Sequence, residues 1–331
     1  MQYRRLGRTG LNLSILSLGS GGPNQFGQLR YVSRKNIHAL VRRAVDLGIN
    51  YFDTASGYSH SESILGEALR GIPRDSYHLS SKVCPVHDKR VIDPAEMRRL
   101  VERSLSRLGV DTLDMLFFHR VLPEFYEETL ERLLPSLQNL RAEGKIRHIG
   151  ITESSKRDRQ HEMLKRALQD DFFDTIMIGY DIAHCDADQE LLPMALAKDV
   201  GVIGMVAARD LVSRNALQRL RLLPRAAFTL FTSPGEPSKL NLRLRETFST
   251  LLQSGPGGER LIAREHLEGY LELPSAGYTF ALSHPAIATV LTGTTDPVHL
   301  EQNARAAMAP ALTSQEIDRL RRLAQGPMGS R

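Results

Sequence analysis

Several residue types and patterns are scarce or missing in the 331-residue chain, and each absence argues against a class of protein. There is no tryptophan. The two cysteines, Cys84 and Cys185, are too few for a disulfide framework and form no Cys-x-x-Cys pair of the kind that binds zinc. No apolar run reaches membrane-spanning length, and the first ten residues lack the core of a signal peptide. We therefore expect a cytoplasmic protein with no membrane association and no metal.

An excess of charge of one sign is lacking as well. Lysine and arginine total 43 against 38 acidic residues, a net charge of +5. The arginines are spread at helical spacing, as in Arg98, Arg99, Arg103 and Arg107, which is typical of solvated helix faces. No nucleic-acid-binding motif accompanies them, so we predict no nucleic-acid partner. A small basic excess also suits a phosphate-bearing cofactor.

Short apolar runs alternate with amphipathic segments along the chain. The runs are rich in Ile, Val and Leu on both faces, as in strands of a parallel sheet covered by helices. Eight strand–helix units predict an α/β fold, a (β/α)8 barrel rather than an open sheet. The predicted strands are residues 15–19, 49–53, 77–83, 112–119, 146–151, 175–180, 201–207 and 289–293.

Helix signals support this alternation. Asp93 is a plausible N-cap, Pro94 suits a first helical turn, and Gly109 suits a C-cap. A second helix ends near Gly144, and Pro135 within it predicts a kink or a helix start.

Other segments lie outside the strand count. Residues 2–14 predict a hairpin across the bottom of the barrel. Residues 210–273 predict a loop insertion between strands seven and eight on the catalytic face, and residues 325–331 a flexible tail. We expect one domain over residues 1–331.

Polar side chains stand at three consecutive predicted strand ends, the working face of such a barrel. Asp53 ends strand two with Tyr58 just beyond it, Lys82 ends strand three and His119 ends strand four. Each has a structural alternative: a helix cap for Asp53, a loop anchor for Tyr58, a snorkelling side chain for Lys82 and a satisfied core histidine for His119. Together they form a complementary set for proton transfer.

The motifs that carry these residues resemble the aldo-keto reductase family over nearly the whole chain. They read "RRLGRTGLNLSILSLG", "NYFDTASGYSHSESILGEAL", "SSKV", "LFFH", "GKIRHIGIT" and "LSHPAIATVLTGTTDPVHLEQN". The resemblance implies a catalytic tetrad of Asp53, Tyr58, Lys82 and His119, with a small carbonyl compound or alcohol as substrate. Some motifs resemble the branch of L-galactose dehydrogenase.

This set suits hydride transfer between a nicotinamide and a carbonyl carbon, during which negative charge grows on the carbonyl oxygen. A free phenol, with a pKa of about 10, is a feeble acid at neutral pH, and a nearby ammonium favours its ionisation. We therefore expect Tyr58 to serve as general acid or base, Lys82 to activate it, Asp53 to hold Lys82, and His119 to orient the carbonyl.

The resemblance also implies an extended nicotinamide dinucleotide, although no glycine-rich dinucleotide fingerprint is present. Where the family has a Ser-Asn pair, a glutamine and a stacking aromatic residue, this chain has Thr152-Glu153, Met177 and Met205. The adenosine end is predicted after strand eight, where a helix N-terminus suits phosphate. Its candidates are Gly293, Thr294, Thr295, His299, Gln302 and Asn303. We expect NADP(H), with NAD(H) as the alternative.

Substrate contacts are predicted in the loops after the strands. Arg120 could pair with an anionic substrate or with Glu124, and the two cysteines could be packing residues. The candidates are Pro23, Phe26, Tyr31, Cys84, His87, Arg120, Tyr126 and His184. Two other hypotheses compete with the oxidoreductase: a catalytically weak, cofactor-binding regulatory protein of the same fold, and a barrel lyase or isomerase using Lys82 as a Schiff-base amine.

Overall fold

The computed structural model of the protein describes residues 1–22, 25–182, 184–207 and 273–325. The predicted insertion lies almost wholly outside these ranges, as do Pro23 and residues 326–331 of the predicted tail. Among the described helices, none is long and apolar enough to cross a lipid bilayer.

Eight parallel strands close into a barrel, as the sequence predicts. The order around the barrel is β3, β4, β5, β8, β9, β10, β11 and β12, and β12 pairs with β3 to complete the circle. In chain order their bounds are β3 Leu16–Gly19, β4 Tyr51–Asp53, β5 His78–Val83, β8 Leu113–Val121, β9 Ile146–Glu153, β10 Thr175–Gly179, β11 Gly201–Met205 and β12 Ile287–Thr292.

Helices surround the barrel and follow the strands in alternation. Their bounds are α1 Arg34–Asp46, α2 Ser61–Leu69, α3 Pro94–Leu108, α4 Tyr126–Ala142, α5 Glu162–Asp170, α6 Leu191–Ala197, α7 Leu273–Ser283, α8 Pro297–Ala307 and α9 Ser314–Gln325. Helix α3 has the caps that the sequence predicts at both ends. The Asp93 side chain accepts the Glu96 N–H at the N-terminus, and Gly109 is left-handed at the C-terminus, with a φ of 68°. Helix α4 runs through Pro135 rather than beginning there.

Two hairpins complete the described fold. The strands β1 (Tyr3–Arg5) and β2 (Asn12–Ser14) pair antiparallel, as predicted for the N-terminal segment. The short strands β6 (Val86–His87) and β7 (Arg90–Val91) form a hairpin after β5, which the sequence did not predict.

The core has two parts. One lies between the barrel and its helices, and the other fills the barrel interior. Leu6 and Leu13 of the N-terminal hairpin reach the interior cluster, which they share with Tyr51, Met115, Phe117, Met177, Ile203 and Ala288. The hairpin therefore plugs the bottom of the barrel, and the opposite end, where the strands terminate, remains as the mouth.

Candidate active site

The four predicted catalytic residues meet at the mouth of the barrel. Asp53 is the last residue of β4, Lys82 the penultimate residue of β5, and His119 lies near the end of β8. These three strands are neighbours in the barrel and run parallel, so their carboxyl ends share one edge. Tyr58 follows β4 in the loop before α2. The structure brings the four side chains together; their catalytic roles stay a prediction.

Lys82 and Asp53 form a buried ion pair, with side chains only 2% and 3% exposed. The Lys82 ammonium donates to Asp53 Oδ2 and, at 2.8 Å, to the backbone oxygen of Thr54. Ser80 Oγ donates to the other carboxylate oxygen of Asp53 at 2.7 Å. An ammonium has three N–H groups, so one remains after these two bonds. Lys82 Nζ lies over the Tyr58 ring, 5.3 Å from its centre.

The Tyr58 loop is held by a glutamine from the loop after β3. Gln28 Nε2 lies 3.2 Å from the backbone oxygen of Tyr58 and 3.0 Å from Ser61 Oγ. Gln28 Oε1 accepts the backbone N–H of His60 at 3.0 Å. One side chain therefore holds the backbone of Tyr58 and the segment that follows it.

The Tyr58 ring rests against Gly21, which follows the end of β3. A Cβ atom at Gly21 would lie 2.6 Å from Tyr58 Cε2 and 3.0 Å from its hydroxyl oxygen, closer than real side chains approach. A Cβ at Gly293, after β12, would meet nothing nearer than the Gly21 oxygen at 3.8 Å. The phenol ring thus packs directly on the bare backbone of Gly21, whereas the backbone at Gly293 is not crowded by a side chain.

His119 is the nearest polar partner of the phenol. Its Nε2 lies 3.4 Å from the Tyr58 hydroxyl, and the two rings meet edge to face with centres 5.5 Å apart. Burial, and then the charges of Lys82 and Arg120, hold the pKa of His119 well below its ordinary value of 6.5. The imidazole is therefore neutral near pH 7. It can orient a carbonyl by a hydrogen bond, and the proton must come from another group.

Thr152 and Glu153, predicted to contact the nicotinamide, are both buried and bound within the protein. Thr152 Oγ1 accepts the N–H of Arg120 at 2.8 Å. Glu153 accepts the N–H of Gly179 at 2.8 Å, and its other oxygen lies 2.6 Å from His161 Nδ1. These side chains join the ends of β8, β9 and β10, so they shape the pocket wall rather than project into it.

The two methionines occupy different environments. Met177 is 1% exposed and belongs to the barrel-interior core. Met205, the last residue of β11, is half-buried and packs at the edge of the same cluster. Of the two methionines, Met205 is the one with a side chain partly exposed at the mouth, where a cofactor could contact it. The burial of Met177 does not support the predicted direct contact between this residue and the nicotinamide.

The candidates after β12 border the start of α8. Gly293 is exposed and Thr294 and Thr295 are half-buried. Asp296 caps the helix, accepting the Val298 N–H at 2.8 Å, and it lies 3.8 Å from the exposed imidazole of His299. Gln302 is half-buried, whereas Asn303 is buried and donates to Thr292 Oγ1 at 2.9 Å. This segment leaves Gly293, Thr294, Thr295, His299 and Gln302 accessible to a nucleotide.

The predicted substrate contacts divide by exposure. Tyr31, His87, Arg120 and His184 are exposed, and Cys84 is half-buried. Phe26 belongs to the core between barrel and helices. Tyr126 is fully buried and donates to Asp170 at 2.8 Å, so it ties α4 to α5 and does not line the pocket.

Three contributors escaped the sequence analysis: Gln28, Gly21 and His161. Gln28 and His161 are polar loop residues without a recognisable motif. Gln28 bonds to residues about 30 positions away in the chain, and a turn brings His161 to Glu153. Gly21 lies in the "GSGG" run, whose excess of glycine was the available signal for a close approach of backbone and side chain.

Comparison with known proteins agrees with this geometry. The model of the Aldo/keto reductase family matches residues 17–254. L-galactose dehydrogenase of Arabidopsis thaliana is 34% identical over 157 residues, 46% of this chain and 48% of that protein. The NADH-specific methylglyoxal reductase of Escherichia coli strain K12 is 32% identical over 222 residues, 61% of this chain and 65% of that protein. The chain thus matches about half to two thirds of the length of these two relatives.

Solved structures extend the likeness over the whole barrel. An aldo-keto reductase from Klebsiella pneumoniae in complex with NADPH is 25% identical, with a TM-score of 0.65 over 99% of this chain and 96% of that one. The holo form of a Bacillus halodurans aldo-keto reductase, at 24% identity, shares the fold with a TM-score of 0.68 over 98% and 96% of the two chains. Because the family model covers well over half of the residues, including Asp53, Tyr58, Lys82 and His119, the chain belongs to the aldo/keto reductase family.

Proposed function

We propose that the protein transfers hydride between a nicotinamide cofactor and a small aldehyde or ketone, or the corresponding alcohol, with Tyr58 as general acid and base. The observation that carries this proposal is the arrangement around one phenol. Its hydroxyl lies 3.4 Å from a neutral imidazole, and its ring lies 5.3 Å from an ammonium anchored by a buried carboxylate.

Each residue has a distinct task. The neutral His119 positions the carbonyl oxygen next to the Tyr58 hydroxyl, since a proton donor within hydrogen-bond reach is the first requirement for acid catalysis. The Lys82 charge stabilises the phenolate that remains once Tyr58 has given up its proton. Asp53 and the Thr54 oxygen fix Lys82, so its field needs no reorganisation during the reaction.

The mouth fits a nicotinamide dinucleotide. The backbone at Gly293 is not crowded by a side chain, and Met205 offers an apolar surface. The accessible residues after β12 would hold the adenosine end. The bound cofactor supplies the hydride; the chain supplies binding, orientation and the proton.

We propose NADP(H) as the favoured cofactor, with NAD(H) as the alternative. A Klebsiella pneumoniae relative is seen with NADPH, whereas the Escherichia coli methylglyoxal reductase is named NADH-specific. Titration of each reduced cofactor, followed by fluorescence, gives the two dissociation constants. A lower value for NADH would reverse the order.

The central experiment replaces Tyr58 with Phe. We expect NADPH to bind with unchanged affinity and carbonyl reduction to fall by at least about 100-fold, because only the acid is removed. Turnover equal to that of the parent protein would remove Tyr58 from the mechanism. Failure of the parent protein to bind either cofactor would overturn the oxidoreductase itself.

The regulatory alternative rests on Thr152 and Glu153, whose side chains are bound within the protein. Robust turnover of a panel of aldehydes and quinones at saturating cofactor would reject it. The lyase alternative is disfavoured by the burial of Lys82 and its two acceptors. An adduct on Lys82 trapped by borohydride would be needed to support it.

A further inference from the structure

Arg120 lies in an irregularity of β8 directly after His119. The pairing of β8 with β9 shifts register between Phe118 and Val121. Arg120 has a φ of 59°, a left-handed conformation that is unfavourable for a residue with a side chain. The bond from its N–H to Thr152 Oγ1, 2.8 Å long, fastens this conformation to the neighbouring strand. Bulges beside active sites typically redirect a side chain, and here the redirected residue carries a charge.

The guanidinium of Arg120 is exposed and has no carboxylate within 4.0 Å among the described residues. Glu124, the nearest acidic residue in the sequence, lies 3.7 Å from Arg157 instead. The contrast with Lys82 is clear, since Asp53 balances the charge of Lys82. Arg120 therefore contributes a positive charge at the mouth that no described carboxylate pairs with.

The charge is close to the reacting groups. It is one of the causes that lower the pKa of His119, after burial and Lys82. An anion bound at Arg120 would therefore lie on the same side of the mouth as a carbonyl oriented by His119. A planar guanidinium also matches the two oxygens of a carboxylate or phosphate in a paired, directional contact.

The cofactor's own phosphates do not account for this charge. The candidates for the adenosine end follow β12, and β8 is four strands away from β12 in either direction around the barrel. The two positions are thus on opposite sides of the mouth. An anion at Arg120 belongs to the other reactant.

We propose that Arg120 determines substrate specificity by binding an anionic group, carboxylate or phosphate, on the carbonyl substrate. The inference rests on the proposed oxidoreductase function and adds the substrate class to it.

The test compares two aldehydes of the same shape, 4-carboxybenzaldehyde and 4-nitrobenzaldehyde, at saturating cofactor. We expect the parent protein to prefer the carboxylate by kcat/KM. Arg120→Gln should lower kcat/KM about 10- to 100-fold more for the carboxylate than for the nitro compound, mainly through KM. Arg120→Lys should retain part of the preference, since it keeps the charge but loses the paired contact.

The control is Arg70→Gln, the same charge change at an exposed position at the end of α2. It should leave the preference intact. Glyceraldehyde 3-phosphate against glyceraldehyde, measured with the same variants, tells whether phosphate or carboxylate is the better anion.

Each other outcome contradicts the proposal in a recognisable way. Equal kcat/KM for charged and neutral members of both substrate pairs in the parent protein would overturn the role of Arg120 and leave the oxidoreductase function standing. An equal loss for both aldehydes in Arg120→Gln would show a structural role only. If the parent protein reduced no aldehyde, the proposed function would fall and this inference with it.

Discussion

Lys82 and Asp53 form an ion pair that is almost completely shielded from solvent, in which the Lys82 ammonium donates to the Asp53 carboxylate. Such a pair is costly to break, because either partner alone leaves a buried charge. Removing both charges together is often tolerated, since the desolvation cost disappears with them.

Breaking this pair should separate stability from activity. We expect Lys82→Met to lower the free energy of unfolding by about 3–5 kcal/mol and to abolish turnover. The double variant Lys82→Met with Asp53→Leu should regain most of the stability but none of the activity. Urea unfolding and NADPH oxidation measure the two properties. Activity in the double variant would show that the pair serves the fold alone.

Because the Tyr58 ring packs on Gly21, adding one methyl group at Gly21 should strongly reduce turnover. Gly21→Ala should displace the ring and lower kcat about 10- to 100-fold, because misplacement by about 1 Å can cost two orders of magnitude. The matched control is Gly57→Ala, next to Tyr58, where a Cβ would meet nothing within 4 Å and no left-handed φ opposes it. Equal kcat values in the two variants would contradict the proposed contact.

His119 should titrate below its ordinary range. Its folded pKa is lowered while that of the unfolded chain stays near 6.5, so the unfolded state binds the proton first as the pH falls. Its contribution to stability is therefore present above pH 6.5 and lost as the pH falls below that value. NMR of the imidazole should show no titration between pH 6.5 and 8. A midpoint within that interval would refute the neutral role assigned to His119.

His161 should behave in the opposite way. Burial lowers its pKa, but the bond to Glu153 and the charge of that carboxylate outweigh burial and raise it above 6.5. The stability this pair contributes is fully present below pH 6.5 and is lost as the pH rises through the folded value. The melting temperature of His161→Gln should therefore lie furthest below that of the parent at pH 6 and approach it at pH 9.5. The exposed His60→Gln serves as control, and a gap that widens with pH would contradict the assignment.

The barrel was predictable because its strands are buried on both faces and read as apolar runs, as in β10 and β11. The meeting of Asp53, Lys82 and His119 was predictable too, since parallel strands of a barrel end at one mouth. The hairpin β6–β7 was not, because its two short strands have no apolar period of their own. The partners of Glu153 also escaped prediction, because the Gly179 N–H from β10 and His161, whose φ is 58°, are placed by tertiary packing. The cytoplasmic location stays a prediction from the sequence.

The plug at the bottom of the barrel has a consequence for how the chain acquires its structure. Leu6 packs so tightly on Gly201 that a Cβ there would lie 2.5 Å from Leu6 Cγ, and Leu16 pairs with Val290 across the closing seam. Leu6 and Leu16 therefore find their partners only after long intervening segments of chain have been made. Contacts of such long sequence separation slow folding, so the barrel should close late. A nascent chain that stops before β12 would leave the β3 edge, including Leu16, without its partner strand.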